Sequence, residues 1–318
     1  MDPKSRPATS APTRAALDLT TVIAGLELRN PVMAASGTFA SGREFSDFID
    51  LARLGAVVTK GVSLEPWSGN ESPRIAETAS GMLNSIGLQN PGAEDFCARD
   101  LPWLAAQNVP VIVNVCGHSI EEYVRVVERL EREPVIAAYE VNISCPNVDA
   151  GGMAFGTACD PAAEVTRAVR AATKRPVVVK LSPNVTDIAE IARAVESEGA
   201  DAVCLINTVL GMAIDARTRR PKLARVVGGL SGPAIKPVAL RMVWQVAAAV
   251  SVPVVGVGGI MSGEDAVEFL LAGASAVQVG TASFVDPTAT VRVVDGLAEY
   301  CVANGVARVS DLVGAMEA

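Results

Sequence analysis

Apolar, β-branched runs recur along the chain, each ending in small or polar residues and followed by a loop and then a stretch with helical periodicity. The runs are PVMAAS (31–36), AVVTKG (56–61), VPVIVNV (109–115), YEVNIS (139–144), PVVVKLS (176–182), AVCLINT (202–208), PVVGVGG (253–259) and AVQVGT (276–281). Helical periodicity is clearest over 119–132, 160–173, 186–197, 233–250 and 262–272. Two of these have good starts: Asp160 stands as a cap before Pro161, and Ser262-Gly263-Glu264-Asp265 fits a capping box. Ahead of the first run, LTTVIAGLELRNPVM predicts two short strands about Gly25, and residues 1–14, without apolar periodicity, predict a loose tail.

Parallel neighbours need a long crossover, and eight strands, each followed by a helix, are enough to close a sheet on itself. The pattern therefore predicts an α/β fold of one domain over 15–318, a closed (β/α)8 TIM barrel with long loops at the C-terminal face of its strands. A doubly wound open sheet is the alternative. It would show fewer strands and a glycine fingerprint after the first, and no G-x-G-x-x-G occurs here. Three connections, 62–93, 145–159 and 209–232, are far longer than usual and predict lids or binding loops.

Composition narrows the picture. Half of the 318 residues are apolar and only 4% aromatic, which suits a core of small branched layers. A net charge of −8, with no lysine–arginine cluster, argues against nucleic acid as a partner. The six cysteines (Cys97, Cys116, Cys145, Cys159, Cys204 and Cys301) show no C-x-x-C or metal spacing, and no signal peptide precedes them; a reducing cytoplasm is expected. The apolar window 242–261 is interrupted by Gln245, Ser251, Pro253 and three glycines, so it predicts helix end, turn and strand, not a membrane span.

Candidate chemistry collects at the strand ends. Ser36, Lys60, Asn114, Asn142, Lys180, Asn207, Gly258-Gly259 and Gly280-Thr281 all fall at the carboxyl end of a run, where barrel enzymes keep their sites. Gly258, Gly259, Gly280 and Thr281, after the last two strands, form a phosphate cradle that Gly232 would extend; the bland reading is tight turns. Lys60 and Lys180 end otherwise apolar runs, where an ammonium is costly unless it meets an anion or snorkels to the rim. A bound flavin would explain both.

Cys145 lies just past a strand end, between Ser144 and Pro146, before a glycine-bearing loop. As a thiolate it either removes a carbon-bound proton or attacks an electrophile; the single histidine, His118, offers little support for the second, so proton abstraction is favoured. Cys97, Cys204 and Cys301 read as small buried hydrophobes. Asn84, Asn142, Asn147 and Asn207 supply amides that both donate and accept, suited to an imide-and-carboxylate substrate, though each also fits a turn.

The stretches NPVMAASGTF, TKGVSLEPWSGN, GMLNSIGLQNPG, VNISCPN, VKLSPNVTDI, GGLSGPAIKP, GVGGI and VQVGTA together make the chain, from about residue 18 onward, resemble the catalytic subunit of class 1B dihydroorotate dehydrogenases. The resemblance implies an FMN-bound barrel that oxidises (S)-dihydroorotate to orotate in pyrimidine biosynthesis. It implies FMN contacts at Ser36, Lys60, Gly61, Asn114, Asn142, Lys180, Ile206, Gly232, Gly258, Gly259, Gly280 and Thr281. Substrate contacts are implied at Lys60, Asn84, Ser85, Ile86, Gly87, Leu88, Asn142, Asn207 and Thr208, with Asn147 added. Cys145 matches the family's base, where the membrane-bound class 2 enzymes use serine, and no N-terminal membrane helix is seen.

Class 1B also implies a homodimer of this chain within a heterotetramer, its partner an iron–sulfur flavoprotein carrying FAD and a [2Fe-2S] cluster and reducing NAD+. This chain has no cysteine cluster for iron, so any use of NAD+ is expected to come through that partner. A fumarate-using class 1A enzyme, an FMN barrel acting on another dihydropyrimidine, and a phosphate-ligand barrel without activity are the alternatives. Cys116, in Val113-Asn114-Val115-Cys116, stands where the family pattern leads one to expect a smaller residue, and the N-terminal tail is extra.

Overall fold

The computed structural model describes residues 13–144 and 155–317. Eight parallel strands close into a barrel in sequence order: β1 (Val32–Ala34), β2 (Ala56–Val58), β3 (Val111–Val115), β4 (Ile136–Asn142), β5 (Val177–Lys180), β6 (Ala202–Leu205), β7 (Val254–Val257) and β8 (Ala276–Val279). Pairing of Gln278 with Met33 joins β8 to β1 and leaves no free edge. Each strand overlaps one of the eight predicted runs, β4 starting three residues ahead of its run at Ile136, and the barrel is the fold that the pattern predicts.

Side chains alternate between two cores. Outward residues such as Val57, Val113, Val141 and Val179 pack with the surrounding helices in one large buried cluster. Inward residues such as Met33, Ala56, Val58, Ile112, Ala138, Val178, Ala202, Cys204 and Val255 fill the barrel in another. Going up the inward rungs the chemistry changes: Ile112 gives way to Asn114, Ala138 to Glu140 and Asn142, Val178 to Lys180, and Ala276 to Gln278. The barrel is apolar at its amino end and polar at its mouth.

The predicted hairpin about Gly25 is present, Thr21–Ile23 pairing antiparallel with Leu26–Leu28. Ala24 and Gly25 both take positive φ (52° and 79°), as a two-residue turn of the hairpin type requires. Ile23 and Leu28, nearly fully buried, join the inner cluster beside Met33, Ala56 and Ala276 at the amino end of the strands. Residues 1–12 of the expected tail lie outside the described residues, while Arg14–Ala16 form a 3-10 turn with Arg14 ion-paired to Asp295.

Two expectations about the helices are corrected. A helix does not follow every strand: after β1 the crossover holds only the 3-10 turns Arg43–Phe45 and Leu51–Arg53. Phe39 stacks on Phe45 at 4.3 Å, and Phe39, Leu51 and Leu54 are buried where a helix would otherwise pack. Asp160 is not a cap; Cys159–Ala172 starts one residue earlier from an extended Ala158, leaving Asp160 in the first turn, where its charge still favours the helix dipole. The Ser262 capping box with Asp265 is present ahead of Gly263–Leu271. The 242–261 window is the end of Lys236–Ala247, a turn and β7, and no helix among the described residues is long and apolar enough to cross a membrane.

Two of the three long loops build one structure. The loop after β2 contributes Ile75–Thr78 and Gly81–Asn84, the loop after β6 contributes Val209–Met212 and Val227–Ser231, and together they form a four-stranded antiparallel sheet. Its seam requires glycine: a Cβ on Gly229 would lie 2.0 Å from Thr208 Oγ1, and one on Gly81 would lie 2.0 Å from the Ser231 carbonyl oxygen. Of the third loop, 145–154 lies outside the described residues; Phe155–Thr157 form a 3-10 turn leading into Cys159–Ala172.

Candidate active site

A cavity of about 860 Å³ opens between the carboxyl ends of the barrel strands and the four-stranded sheet. Every residue expected to contact FMN lines it: Ser36, Lys60, Gly61, Asn114, Asn142, Lys180, Ile206, Gly232, Gly258, Gly259, Gly280 and Thr281. Of the expected substrate residues, Asn84, Ile86, Gly87, Leu88, Asn207 and Thr208 line it as well. Ser85 does not. It is buried behind the wall, its carbonyl and hydroxyl both accepting from Asn70 Nδ2 at 3.1 Å. Cys145 and Asn147 lie outside the described residues.

The glycines at the mouth allow what a phosphate needs. Gly232, Gly258 and Gly259 have φ of 93°, 133° and 78°, a region that side-chain-bearing residues rarely adopt, and a Cβ on Gly259 would meet Lys236 Cβ at 2.7 Å. At Gly280 the situation differs: a Cβ would make only ordinary contacts, with Ala35 Cβ at 3.5 Å and Thr38 Oγ1 at 3.6 Å. Thr281 Oγ1 donates to Ser231 Oγ at 2.8 Å, tying the loop after β8 to the segment before Gly232. A backbone cradle with open volume above it and lysines nearby fits a phosphorylated ring system such as FMN.

Lys180 reaches the cavity from the inner face of β5 with a side chain only 7% exposed. Its Nζ lies 3.6 Å from Glu140 Oε1, 3.5 Å from Ser36 Oγ and 3.4 Å from Gln278 Oε1. Burial is the largest single influence on Lys180 and pulls its pKa down, but the charge and hydrogen bond of Glu140, together with Cys204, outweigh it and the net direction is up, so the ammonium stays charged. The same burial and the same carboxylate push the nearby Cys204 thiol well above its usual range, consistent with an inert core cysteine.

Glu140 was not legible as a site residue. It sits within an otherwise apolar strand, two residues before Asn142 and so on the same inward face, and that spacing was the available signal. Its fully buried carboxylate accepts from Asn114 Nδ2 at 2.7 Å and from Gln278 Nε2 at 2.6 Å. Asn142 Nδ2 donates to Asn114 Oδ1 at 3.3 Å, and Asn142 Oδ1 accepts from the Ser144 amide at 3.3 Å and the Ser144 hydroxyl at 3.1 Å. Asn207 Nδ2 donates to Ser144 Oγ at 2.9 Å. Tyr123 OH, from the helix after β3, anchors the Asn142 carbonyl at 2.7 Å.

Elsewhere at the site, Asn84 Nδ2 donates to the Gly229 carbonyl across the sheet at 3.3 Å. Lys60 is set at the end of β2 by its amide, which donates to the Ala40 carbonyl at 2.8 Å. Cys116 is fully buried, and a Cβ on the cavity residue Gly61 would lie 3.4 Å from its Sγ, so the larger residue is packed under the floor of the site. His118, the sole histidine, stacks on Trp67 with ring centroids 4.0 Å apart and has no place in the cavity lining, whereas Trp67 does.

A family model described as dihydroorotate dehydrogenase matches residues 18–301. A curated relative from Pelobacter propionicus, named dihydroorotate dehydrogenase B (NAD(+)), catalytic subunit, is 60% identical over 300 residues, spanning 94% of this chain and 99% of its own length. A relative of the same name from Geotalea daltonii is 57% identical over 300 residues, covering 94% of this chain and 98% of the relative. Among solved structures, a crystal structure of DHODH with ferulenol from Eimeria tenella superposes with a TM-score of 0.79 at 23% identity, covering 94% of this chain and 88% of that one, which supports the barrel fold.

Proposed function

Because the chain belongs to the dihydroorotate dehydrogenase family, we propose that this cavity oxidises (S)-dihydroorotate to orotate on FMN, as the catalytic subunit of an NAD+-linked, class 1B enzyme in pyrimidine biosynthesis. The observation that carries the reading is the convergence in one cavity of a glycine cradle, the lysines Lys60 and Lys180, and the amides of Asn84, Asn114, Asn142 and Asn207. FMN, when bound, supplies the two-electron acceptor.

The chain's own residues would do the rest. Gly232, Gly258, Gly259, Gly280 and Thr281 would hold the phosphate through close backbone approach. Lys180, kept cationic by Glu140, would place positive charge against the ring system, and Ser36 and Gln278 fix its position. Lys60 with Asn84, Asn142 and Asn207 would bind the carboxylate and imide edges of the substrate under the covering sheet. Cys145 as thiolate would take the C5 proton while the C6 hydrogen leaves with its electron pair to FMN, so one proton and one hydride account for the two hydrogens lost. Electrons would then pass to a partner subunit bearing FAD and a [2Fe-2S] cluster and on to NAD+, in the cytoplasm, with this chain as a homodimer inside a heterotetramer.

The test is to purify the chain, record its visible spectrum, and assay dihydroorotate against dihydrouracil with an artificial acceptor. The assay is then repeated with the copurified iron–sulfur partner, comparing NAD+ with fumarate. A yellow protein active on dihydroorotate, with NAD+ used only in the partner's presence, supports the reading. A colourless protein, or one that prefers dihydrouracil or fumarate, overturns it.

A further inference from the structure

Three hydrogen-bond donors converge on one carboxylate inside the barrel. Glu140 Oε1 receives Asn114 Nδ2 at 2.7 Å and faces Lys180 Nζ at 3.6 Å, while Oε2 receives Gln278 Nε2 at 2.6 Å. An ionised carboxylate accepts and cannot donate, whereas an amide side chain has two ends of nearly equal shape and opposite polarity. The carboxylate therefore forces Asn114 to turn its NH2 inward and its Oδ1 outward, toward Asn142. Asn142 must then offer its Nδ2 to Asn114, which leaves its Oδ1 for the amide and hydroxyl of Ser144. With its own hydrogen committed to Asn142, the Ser144 hydroxyl can only accept from Asn207 Nδ2. The buried charge at one end and the backbone amide and carbonyl of Ser144 at the other demand the same sense, and the side chains between β3 and β6 satisfy both.

We propose that Glu140 is a positioning residue that sets the donor and acceptor sense of Asn114, the inner end of the Asn114–Asn142–Ser144–Asn207 array lining the cavity, in addition to holding Lys180 in its charged form. That the array faces a flavin and a dihydropyrimidine rests on the reading above; the polarity relay itself rests only on the geometry. Without Glu140, Asn114 would lose the acceptor that holds its NH2 inward, while Asn142 and Asn207 would keep their sense from the Ser144 backbone. The apparent conservatism of Glu140→Gln is misleading, because it places an NH2 among three donors. Either Asn114 turns over and sets its NH2 against Asn142 Nδ2, which the Ser144 amide holds in place, or Gln278 turns over and points its NH2 at Lys180 Nζ, now 3.4 Å from its oxygen.

An exchange separates this role from that of a simple counterion to Lys180. In Glu140→Gln/Gln278→Glu, the new amide can accept from Asn114 and donate to the new carboxylate at 278, which sits within reach of Lys180. Both charge and polarity survive. In Glu140→Met/Gln278→Glu, Lys180 keeps a counterion but Asn114 loses its acceptor.

The full-length apoprotein of each variant is titrated with FMN, and its thermal midpoint is measured with and without flavin. Glu140→Gln should weaken FMN binding about 10-fold or more and lower the midpoint of the flavin-free chain by about 5 °C or more. The Gln/Glu exchange should return affinity to within about 3-fold of the unaltered chain and restore the midpoint and the visible band of bound flavin, while the Met/Glu pair should not. Unchanged binding and midpoint in Glu140→Gln, failure of the Gln/Glu exchange to restore either, or equal rescue by the Met/Glu pair overturns the proposal. If the unaltered chain takes up no FMN, the flavin reading fails by itself, and the flavin-free midpoints still decide the relay.

Discussion

Asn207 holds Ser144 at two points, its Nδ2 donating to the hydroxyl at 2.9 Å and to the carbonyl at 3.3 Å, over the end of β5 from β6 to the end of β4. Ser144 is the residue immediately before Cys145, so the chain entering the proposed base is pinned from β6, two strands along the barrel. Asn207→Ala should lower kcat on dihydroorotate about 10- to 100-fold with FMN content unchanged, since both bonds go at once. Ser144→Ala, which keeps the carbonyl contact, should lose less. Steady-state kinetics with flavin quantified in each preparation check the order.

Cys145→Ala should cut turnover about 1,000-fold or more while the protein stays yellow, because the substitution removes the proton acceptor and nothing in the glycine cradle. Cys145→Ser should retain slow activity that rises steeply with pH, a hydroxyl being a far weaker acid than a thiol. Rates measured from pH 6 to 10 on the two variants distinguish them; near-normal turnover in Cys145→Ala would remove Cys145 from its role.

Much of this site was legible because barrels put function at predictable places. Ser36, Lys60, Asn114, Asn142 and Lys180 ended apolar runs, and a strand's two-residue period sends such terminal residues inward together. The covering sheet was not legible: its strands are short, Gly228 and Gly229 break any alternation, and the one of its three pairings that joins the two hairpins links loops more than a hundred residues apart. Ser85 went astray for a related reason, since adjacent residues in an extended chain face opposite ways and Asn84 took the cavity side. The polar relay escaped because its centre, Glu140, lies inside an apolar run where only its partners on β3, β5 and β8 give it a purpose.

Ser85→Ala and Asn84→Ala should therefore part company. The first loses one bond from Asn70, costing about 1 kcal/mol of stability and leaving KM for dihydroorotate within about 2-fold. The second removes a cavity-lining amide and should raise KM about 10-fold. Urea unfolding and substrate titration of the two variants, side by side, make the comparison.

Lys180→Met leaves the Glu140 carboxylate buried without its cation and should cost about 3–5 kcal/mol of stability. The pH dependence carries a sign. The folded-state pKa of Lys180 is raised, so its contribution is full below the ordinary lysine value of about 10.4 and fades as pH climbs through the raised value. Urea midpoints between pH 8 and 11 should fall at the alkaline end for the unaltered chain and be flatter for Lys180→Met.

Gly81→Ala would drive a Cβ to 2.0 Å from the Ser231 carbonyl oxygen, a backbone atom that cannot turn aside. The covering sheet must spread at that seam, at a cost of about 1–3 kcal/mol, and KM for substrate should rise more than FMN affinity falls. Thermal unfolding together with separate FMN and dihydroorotate titrations checks this split.

The hairpin that seats Ile23 and Leu28 beneath the inner strands gives the barrel a floor as well as a roof. The interior is thus a cup with a stopper in its base, and visiting molecules trade places over a single rim. Loading then has an order built into its shape: whatever rests lowest must arrive first and depart last, and a tightly held tenant below can outlast any number of callers above it.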